Sequence, residues 1–439
     1  MTYAETLDYL FSRLPMYSRI GAAAYKTDLH NTIALLAEIG NPHHRLKTIH
    51  VAGTNGKGSV SHMLAAILQQ AGYKTGLYTS PHLVDFRERI RINGEMIQEE
   101  NVVAFTERMK KTIDAIEPSF FELTVAMAFD YFAQEQVDIA VIETGLGGRL
   151  DSTNVIQPEL SVITNIGWDH MNLLGDTLEK IAFEKAGIIK PNTPVVIGEW
   201  LPETRSVFEK RALVLQAPIT WAGSNFRIKG TVASPHEQQL DITESATGNR
   251  ITYELDLGGH YQQKNFLTVL ESVRLLTLRG WSIPPEAARN AMRQVRTMTG
   301  FWGRWDLLRS DPVVRLDVTH NVHGLEALLR QLHTLSYENL HVVLGMVNDK
   351  DIDSFLGRLP RDAHYYFTQA SIPRALPAAQ LQEQARRIGL SGTVYSNVNT
   401  AIQAALNRSQ KKDLVLVTGS IFLIGEVNRE ALRLAPLQK

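Results

Sequence analysis

Cysteine is absent from the 439 residues. That excludes disulfide staples, thiolate metal ligands and a cysteine nucleophile, and it fits a reducing compartment. No apolar run approaches the roughly 18 residues that a membrane-crossing helix needs. Neither sign of charge is in excess, since 45 lysines and arginines face 46 aspartates and glutamates for a formal net charge of -1. That balance argues against broad electrostatic binding to nucleic acid or an anionic membrane. The opening Met1-Thr2-Tyr3-Ala4-Glu5-Thr6 has no basic stretch followed by an apolar core, so no secretory signal is read. Internal repeats and low-complexity segments are also missing. The expectation is a cytoplasmic chain acting on small molecules, without nucleic acid or membrane among its partners.

What is present is an ordinary globular composition, 44% hydrophobic and 21% charged. The length suggests two or three domains, each burying a core. The stretch that organises the chain is Gly53-Thr54-Asn55-Gly56-Lys57-Gly58-Ser59. Before it, Lys47-Thr48-Ile49-His50-Val51-Ala52 reads as a buried strand. After it, Val60, Met63, Leu64, Ile67 and Leu68 recur at helical spacing, so a helix begins near Lys57. Strand, glycine-rich turn and helix together cradle phosphate, because backbone N–H groups and the positive helix end point at the anion. Lys57 can neutralise outer phosphates, and Ser59 can meet phosphate or its magnesium. The common form of this loop has four residues between its first glycine and Gly-Lys-Ser/Thr. Here only Thr54 and Asn55 intervene, and Gly58 separates Lys57 from Ser59. A plain glycine turn leading into a surface helix is the competing reading.

Along the chain, strands are predicted at 75–79, 137–142, 160–164 and 194–197. Helices are predicted at 2–14, 28–39, 99–116, 121–135, 177–186 and 203–213. Alternation of this kind makes a parallel sheet covered on both faces. Residues 219–257 read instead as short antiparallel hairpins, with a turn at Thr247-Gly248-Asn249. Helices resume at 263–279 and 285–295, and a boundary is predicted near Thr297–Gly303. A second alternation follows, with strands at 313–318, 340–344, 364–367, near 393 and at 414–418. Its helices are predicted at 323–335, 352–357, 377–388, 398–408 and the chain's end. The fold class is therefore α/β, with a phosphate-loop-type parallel sheet and a small antiparallel segment in a domain over 1–298. A smaller Rossmann-like α/β domain over 299–439 follows, although no Gly-x-Gly-x-x-Gly opens it.

Ligands of open parallel sheets bind beyond the carboxyl ends of the strands. Four strands of the first half end there at Gly53, Ser80, Glu143 and Asn165. Glu143 closes an apolar strand, where a carboxylate needs a cation or a hydrogen-bond partner; otherwise it caps the Gly145-Leu146-Gly147-Gly148 turn. His170 is either structural or a magnesium ligand, and Ser80 either offers its hydroxyl to that metal or starts the turn before Pro81. Lys185 has two readings as well. One is a solvated lysine at a helix end. The other is a desolvated amine of lowered pKa that reacts with carbon dioxide to become an anionic carbamate.

These stretches together resemble folylpolyglutamate synthase, often bifunctional with dihydrofolate synthase, of the Mur ligase superfamily. The resemblance rests on the loop above, Tyr78-Thr79-Ser80-Pro81-His82-Leu83, Phe120-Phe121-Glu122-Leu123-Thr124 and Glu143 to Asn154. Asp169-His170, Glu184-Lys185-Ala186-Gly187, Gly303-Arg304, Asp317, His320-Asn321 and Thr418-Gly419-Ser420 continue it, so that it spans about residues 46–427. Its departures are Phe301-Trp302 before Gly303, Trp305-Asp306 after Arg304, and Val318-Thr319 before His320.

The resemblance implies ATP-dependent ligation of L-glutamate to tetrahydrofolate and to 7,8-dihydropteroate through an acyl phosphate. It implies ATP contacts from Thr54, Asn55, Gly56, Lys57, Gly58, Ser59, Asn265, Arg304 and Asp317. Ser80, Glu143, His170 and Lys185 as a carbamate would hold magnesium, two ions in all, with potassium as a further cation. Lys57, Lys185, His170 and Arg304 would serve the chemistry. Phe121, Glu122, Leu150, Asp151 and Ser152 would meet the pterin substrate, and His320 and Ser420 the glutamate. A monomer is implied. Two other functions share parts of the pattern. One is a Mur ligase extending a UDP-muramyl precursor, and the other is an ATP-dependent switch that ligates nothing. Ser80 to Leu83, Phe121-Glu122 and Gly58 after Lys57 favour folate.

Overall fold

The computed structural model describes residues 1–21, 28–234 and 237–434. Eight strands form the first sheet: β1 Thr48–Ala52, β2 Thr75–Tyr78, β3 Ile90–Ile92, β4 Glu95–Met96, β5 Ile139–Glu143, β6 Leu160–Ile163, β7 Val195–Ile197 and β8 Ile219–Trp221. Their order is β4-β3-β2-β5-β1-β6-β7-β8. The pairs from β2 to β8 are parallel, while β3 and β4 add an antiparallel edge. β1 and β5 are buried at every residue, as expected of central strands covered on both faces.

The covering layers follow from the sequence. The helix Lys57–Gln70 is buried from Ser59 to Leu68, because it packs against β1, β2 and β5 and against the helices Tyr261–Leu278 and Pro285–Met292. A helix apolar on all sides has to be enclosed in this way. The opposite flank is filled by Tyr78, Phe120, Phe129 and Phe132, under the helices Tyr3–Arg13, His30–Glu38, Glu99–Ile116 and Phe120–Gln134. Capping boxes start the first and last of these four, Thr2 with Glu5 and Ser119 with Glu122.

A three-stranded antiparallel sheet joins β9 Phe226–Ala233, β10 Gln238–Glu244 and β11 Arg250–Leu255. Leu240 and Ile242 face inward while Gln239 and Asp241 face water.

The chain divides into two compact units, the first being 1–233, 237–256 and 261–301. The second is 302–439 with the segments 234–236 and 257–260. Its sheet contains β12 Asp306–Ser310, β13 Val313–Leu316, β14 Leu340–Leu344, β15 His364–Phe367, β16 Gly392–Val394 and β17 Leu414–Thr418. The order is β12-β13-β17-β14-β15-β16, parallel except for the β12–β13 pair. The core contains Trp305, Leu328, Val342, Phe355, Phe367 and Leu416.

Several elements depart from the sequence-based expectations. Ile219–Trp221 is a parallel edge strand of the main sheet rather than part of a hairpin. It follows the helix Pro202–Val214, and a strand–helix–strand crossover returns parallel. The β3–β4 hairpin was not expected, although Asn93-Gly94 signals it. Both residues have positive φ, at 48° and 84°, which the tight turn between right-twisted strands requires. β12 was likewise unexpected. The helix expected over 323–335 is Val322–Leu332, and 285–295 resolves into Pro285–Met292 and Val295–Thr299.

Candidate active site

The loop between β1 and the helix Lys57–Gln70 is held by its neighbours. Thr54 N donates to Asn165 O at 3.0 Å, and Asn55 N donates to Asn165 Oδ1 at 2.9 Å. Thr164 Oγ1 donates to Asn55 O at 2.5 Å, and Thr54 exchanges hydrogen bonds with the Gly167 backbone. Glycine is required at two points. Gly53 has φ 150° and a Cβ there would collide with the Thr164 hydroxyl; Gly56 has φ 84° and a Cβ there would collide with the Asn265 amide. Lys57 Nζ folds back over the loop to Gly53 O at 3.0 Å and Thr54 O at 3.3 Å. Ser59 Oγ accepts from Gln262 Nε2 at 3.1 Å, and Gln262 Oε1 accepts from Asn265 Nδ2 at 2.8 Å.

Glu143 ends β5 and is buried, and its Oε2 accepts from Ser80 N at 3.2 Å. A Cβ on Gly58 would lie 3.8 and 3.9 Å from the two Glu143 oxygens, so this carboxylate faces the phosphate loop. The Ser80 contact runs through its backbone N–H. His170 caps the short helix Met171–Leu174 with φ 50°, and its Nδ1 lies 3.1 Å from the Tyr17 hydroxyl. Lys185 is 4% exposed, and its Nζ donates to Gly53 O at 2.9 Å. Two lysine nitrogens therefore converge on one carbonyl. Burial first, and then the charge of Lys57, push Lys185 down to about 7 from 10.5. The solvated reading of Lys185 is excluded by its burial.

The pterin-region residues divide by role. Asp151 is buried and organises its own loop: Oδ2 accepts from Leu146 N at 2.8 Å, and Oδ1 accepts from Thr153 N at 3.0 Å and from the Thr153 hydroxyl. The same hydroxyl lies 2.8 Å from His50 Nε2. Ser152 opens the single turn that follows, and Leu150 precedes it. Glu122 is 1% exposed, and its Oε2 serves the capping box through Ser119 N at 2.6 Å. Its Oε1 is buried without a hydrogen bond among the described residues. The Phe121 ring packs on Gly145.

In the second unit, Asp317 follows β13. Its Oδ2 accepts from Trp305 N at 2.9 Å, and its Oδ1 from Thr319 N and Oγ1 at 2.9 and 2.6 Å. Arg304 Nη1 lies 3.4 Å from Gly303 O. His320 Nδ1 lies 2.9 Å from Val318 O, and Ser420 caps the helix Ile421–Gly425.

Models of the Mur ligase middle domain and of the Mur ligase glutamate ligase domain match residues 51–273 and 303–421. A dihydrofolate synthase/folylpolyglutamate synthase of Bacillus subtilis is 35% identical, over 97% of this chain and 98% of that one. A folylpolyglutamate synthase of Lacticaseibacillus casei is 33% identical, over 98% and 99%. Among solved structures, Mycobacterium tuberculosis folylpolyglutamate synthase complexed with ADP and AMPPCP superposes with TM-score 0.85 at 30% identity, over 99% of both chains. Escherichia coli FolC in complex with DHPP and ADP gives 0.83 at 29%, over 97% of this chain and 96% of that one. The chain belongs to the Mur ligase family.

Of three residues of this ligase that hold the loop, Thr164 and Gln262 were missed by sequence reasoning, and Asn165 was read only as a strand end. Asn165 is the second residue beyond apolar β6, and both its backbone and side chain dock the loop. Thr164, just before it, supplies the third tie. Gln262 stands three residues before Asn265 on one helix face, the spacing that could have suggested it.

Proposed function

We propose that this chain ligates L-glutamate to folates at the expense of ATP, extending tetrahydrofolate and adding the first glutamate to 7,8-dihydropteroate. The observation that carries the reading is the phosphate cradle of Gly53 to Ser59, with Lys57 folded over it and Glu143 facing it. A carboxylate is a poor electrophile. Transfer of the γ-phosphoryl group to it forms an acyl–oxygen–phosphorus bond and releases ADP. The α-amine of glutamate then attacks the acyl carbon, a C–N bond forms, phosphate departs with its electron pair, and the amine proton is lost. Catalysis of such a transfer is positioning and neutralisation of oxygen charge, the part suited to Lys57, Ser59 and the loop N–H groups.

Ser80, Glu143, His170 and Lys185 would hold magnesium, expected as two ions, which supplies positive charge to the nucleotide's phosphates. Among the described residues no three His, Asp or Glu side chains gather as a ready metal site. A carbamate on Lys185 would add the missing carboxylate. Its formation needs a neutral amine: the nitrogen lone pair bonds to the carbon of CO2, one C–O π bond becomes an oxyanion, and the amine proton passes to water. Burial beside Lys57 favours that neutral form.

On this reading residues 1–298 carry the ATPase and folate functions and residues 299–439 the glutamate-ligase function. Asn265, Arg304 and Asp317 serve the nucleotide, and His320 and Ser420 the incoming glutamate. Phe121, Leu150, Ser152 and Oε1 of Glu122, which has no hydrogen bond among the described residues, serve the folate. Asp151 acts through the loop it ties. Cytoplasmic action as a monomer belongs to the same reading. No helix among the described residues is long and apolar enough to cross a membrane.

The test incubates the purified chain with ATP, L-glutamate and either tetrahydrofolate or dihydropteroate, with products read by mass. Glutamylated folate with ADP and phosphate is expected. Hydrolysis of ATP that is indifferent to glutamate and yields no conjugate would leave the switch reading in its place.

A further inference from the structure

Arg89 is a cation that the mechanism above does not use. It ends the short helix Phe86–Arg89, and its backbone is pinned where Thr79 N donates to Arg89 O at 3.0 Å. The side chain turns inward and is only 7% exposed. Nε donates to His82 Nδ1 at 2.8 Å, and the guanidinium stands 5.2 Å from the Phe120 ring centre. A guanidinium Nε can only donate, so His82 Nδ1 accepts; its ring is therefore neutral and does not counter the charge.

Beyond His82 the guanidinium meets the Tyr78 hydroxyl, and no carboxylate among the described residues lies within ion-pairing reach of it. The two carboxylates whose fields reach it, Glu143 and Glu88, are engaged elsewhere. Glu143 takes Ser80 N, and Glu88 takes the backbone N–H groups of Leu83, Val84 and Asp85. Beside the guanidinium, the fully buried Tyr78 hydroxyl is a second neutral partner rather than a counter-charge. Burying a guanidinium costs several kcal/mol unless an anion and its hydrogen bonds offset it. Two neutral groups and one ring do not, whereas Arg87 beside it is paired with Asp85 at 2.7 Å.

We infer that Arg89, with Tyr78 beside it, is a carboxylate-binding subsite for the acid substrate. The planar fork of an arginine matches a carboxylate through two parallel hydrogen bonds. Tyr78 ends β2, two residues before Ser80, so the subsite borders the carboxyl end of the sheet where Glu143 faces the phosphate loop. The ligand class is the carboxylate of a pteroate or folate, and this assignment rests on the ligase reading. Its source is either the carboxylate that becomes phosphorylated or the spectator α-carboxylate of a terminal glutamate.

The experiment compares wild type with Arg89→Gln and Arg89→Lys. Glutamate-dependent conjugation by the wild type is the check on the ligase reading itself. Given that, Arg89→Gln is expected to raise KM for the acid substrate at least tenfold while Kd for ATP changes less than twofold, and Arg89→Lys is expected to be intermediate. Loss with both dihydropteroate and tetrahydrofolate assigns the reacting carboxylate; loss with tetrahydrofolate alone assigns the spectator. An unchanged KM in a folded variant overturns the subsite, as does equal weakening of ATP and acid binding. If the variants do not fold, calorimetric titration of wild type compares dihydropteroate with its decarboxylated analogue and tetrahydrofolate with its analogue lacking the α-carboxylate. A Kd ratio below threefold for both pairs would overturn the proposal.

Discussion

At the scale of single residues, charge and burial decide the roles. Lys57 donates to the loop carbonyls of Gly53 and Thr54, which brings its ammonium over the cradle. Lys57→Ala should lower the rate of conjugate formation by about a thousandfold, the scale of losing a preorganised transition-state contact; an undiminished rate would refute the loop assignment. Lys185 tells a different story. Its amine titrates near 7 rather than 10.5, so the neutral form grows as pH rises through that value. Uptake of isotope-labelled CO2 should therefore follow a midpoint near neutrality, read by intact mass and NMR. Lys185→Ala should lose activity, and acetate should restore part of it by replacing the missing carboxylate. Asp151 and Glu122 were indistinguishable in sequence as carboxylates near a pterin. The structure separates them, because Asp151 spends both oxygens on its own loop and Glu122 keeps one without a hydrogen bond among the described residues.

At the scale of elements, the phosphate loop depends on the neighbouring strand's end as much as on its own glycines. Asn165 supplies the acceptors for two consecutive loop N–H groups. Asn165→Ala removes one of them, and a lost buried hydrogen bond costs about 1 to 3 kcal/mol. Binding of ATP, measured by titration calorimetry, should weaken roughly tenfold while the melting temperature falls only slightly; unchanged affinity would show that the loop holds its shape without this tie. The linker end is also seated on this element. Phe301 packs its ring 4.5 Å from that of His62, and a Cβ on Gly58 would lie 3.7 Å from it. The aromatic ring fills the space against the helix Lys57–Gln70.

For the whole molecule, the pH dependence of stability follows from buried histidines. His50 and His82 are pushed down to about 3 and His43 to about 4, each chiefly by burial. An unfolded histidine takes a proton near 6.5, whereas these stay neutral in the fold. Below about 6.5 the unfolded chain therefore binds more protons, and stability is lost as pH falls toward 4, by up to about 1.4 kcal/mol per pH unit for each group. Asp256, pushed up to about 6 by burial, and Asp151, also raised by burial, act in the opposite sense, while His341, lowered by burial, adds to the histidine side. Melting temperature should drop steadily from about pH 7 to about pH 5. His50→Gln should make that slope shallower, and a flat profile would contradict the assignment.

The sequence by itself determined the local matters: a strand, a glycine turn and a helix at 48–70, the alternation of strands and helices, and a polar residue at each strand end. These are legible because periodicity, turn chemistry and capping act over a few residues. The antiparallel edges and the parallel placement of Ile219–Trp221 were less so, since crossover topology is a property of the assembled sheet. Tertiary structure alone decided which strand-end groups meet. Lys185 reaches the carbonyl of Gly53 across 132 positions, Asn165 the N–H of Asn55 across 110, and Gln262 the hydroxyl of Ser59 across 203. A parallel sheet gathers the ends of distant strands along one edge, and spacing in the chain carries no record of that distance. The lysine that looked like a surface cation becomes a buried amine for the same reason: desolvation is set by what folds over it.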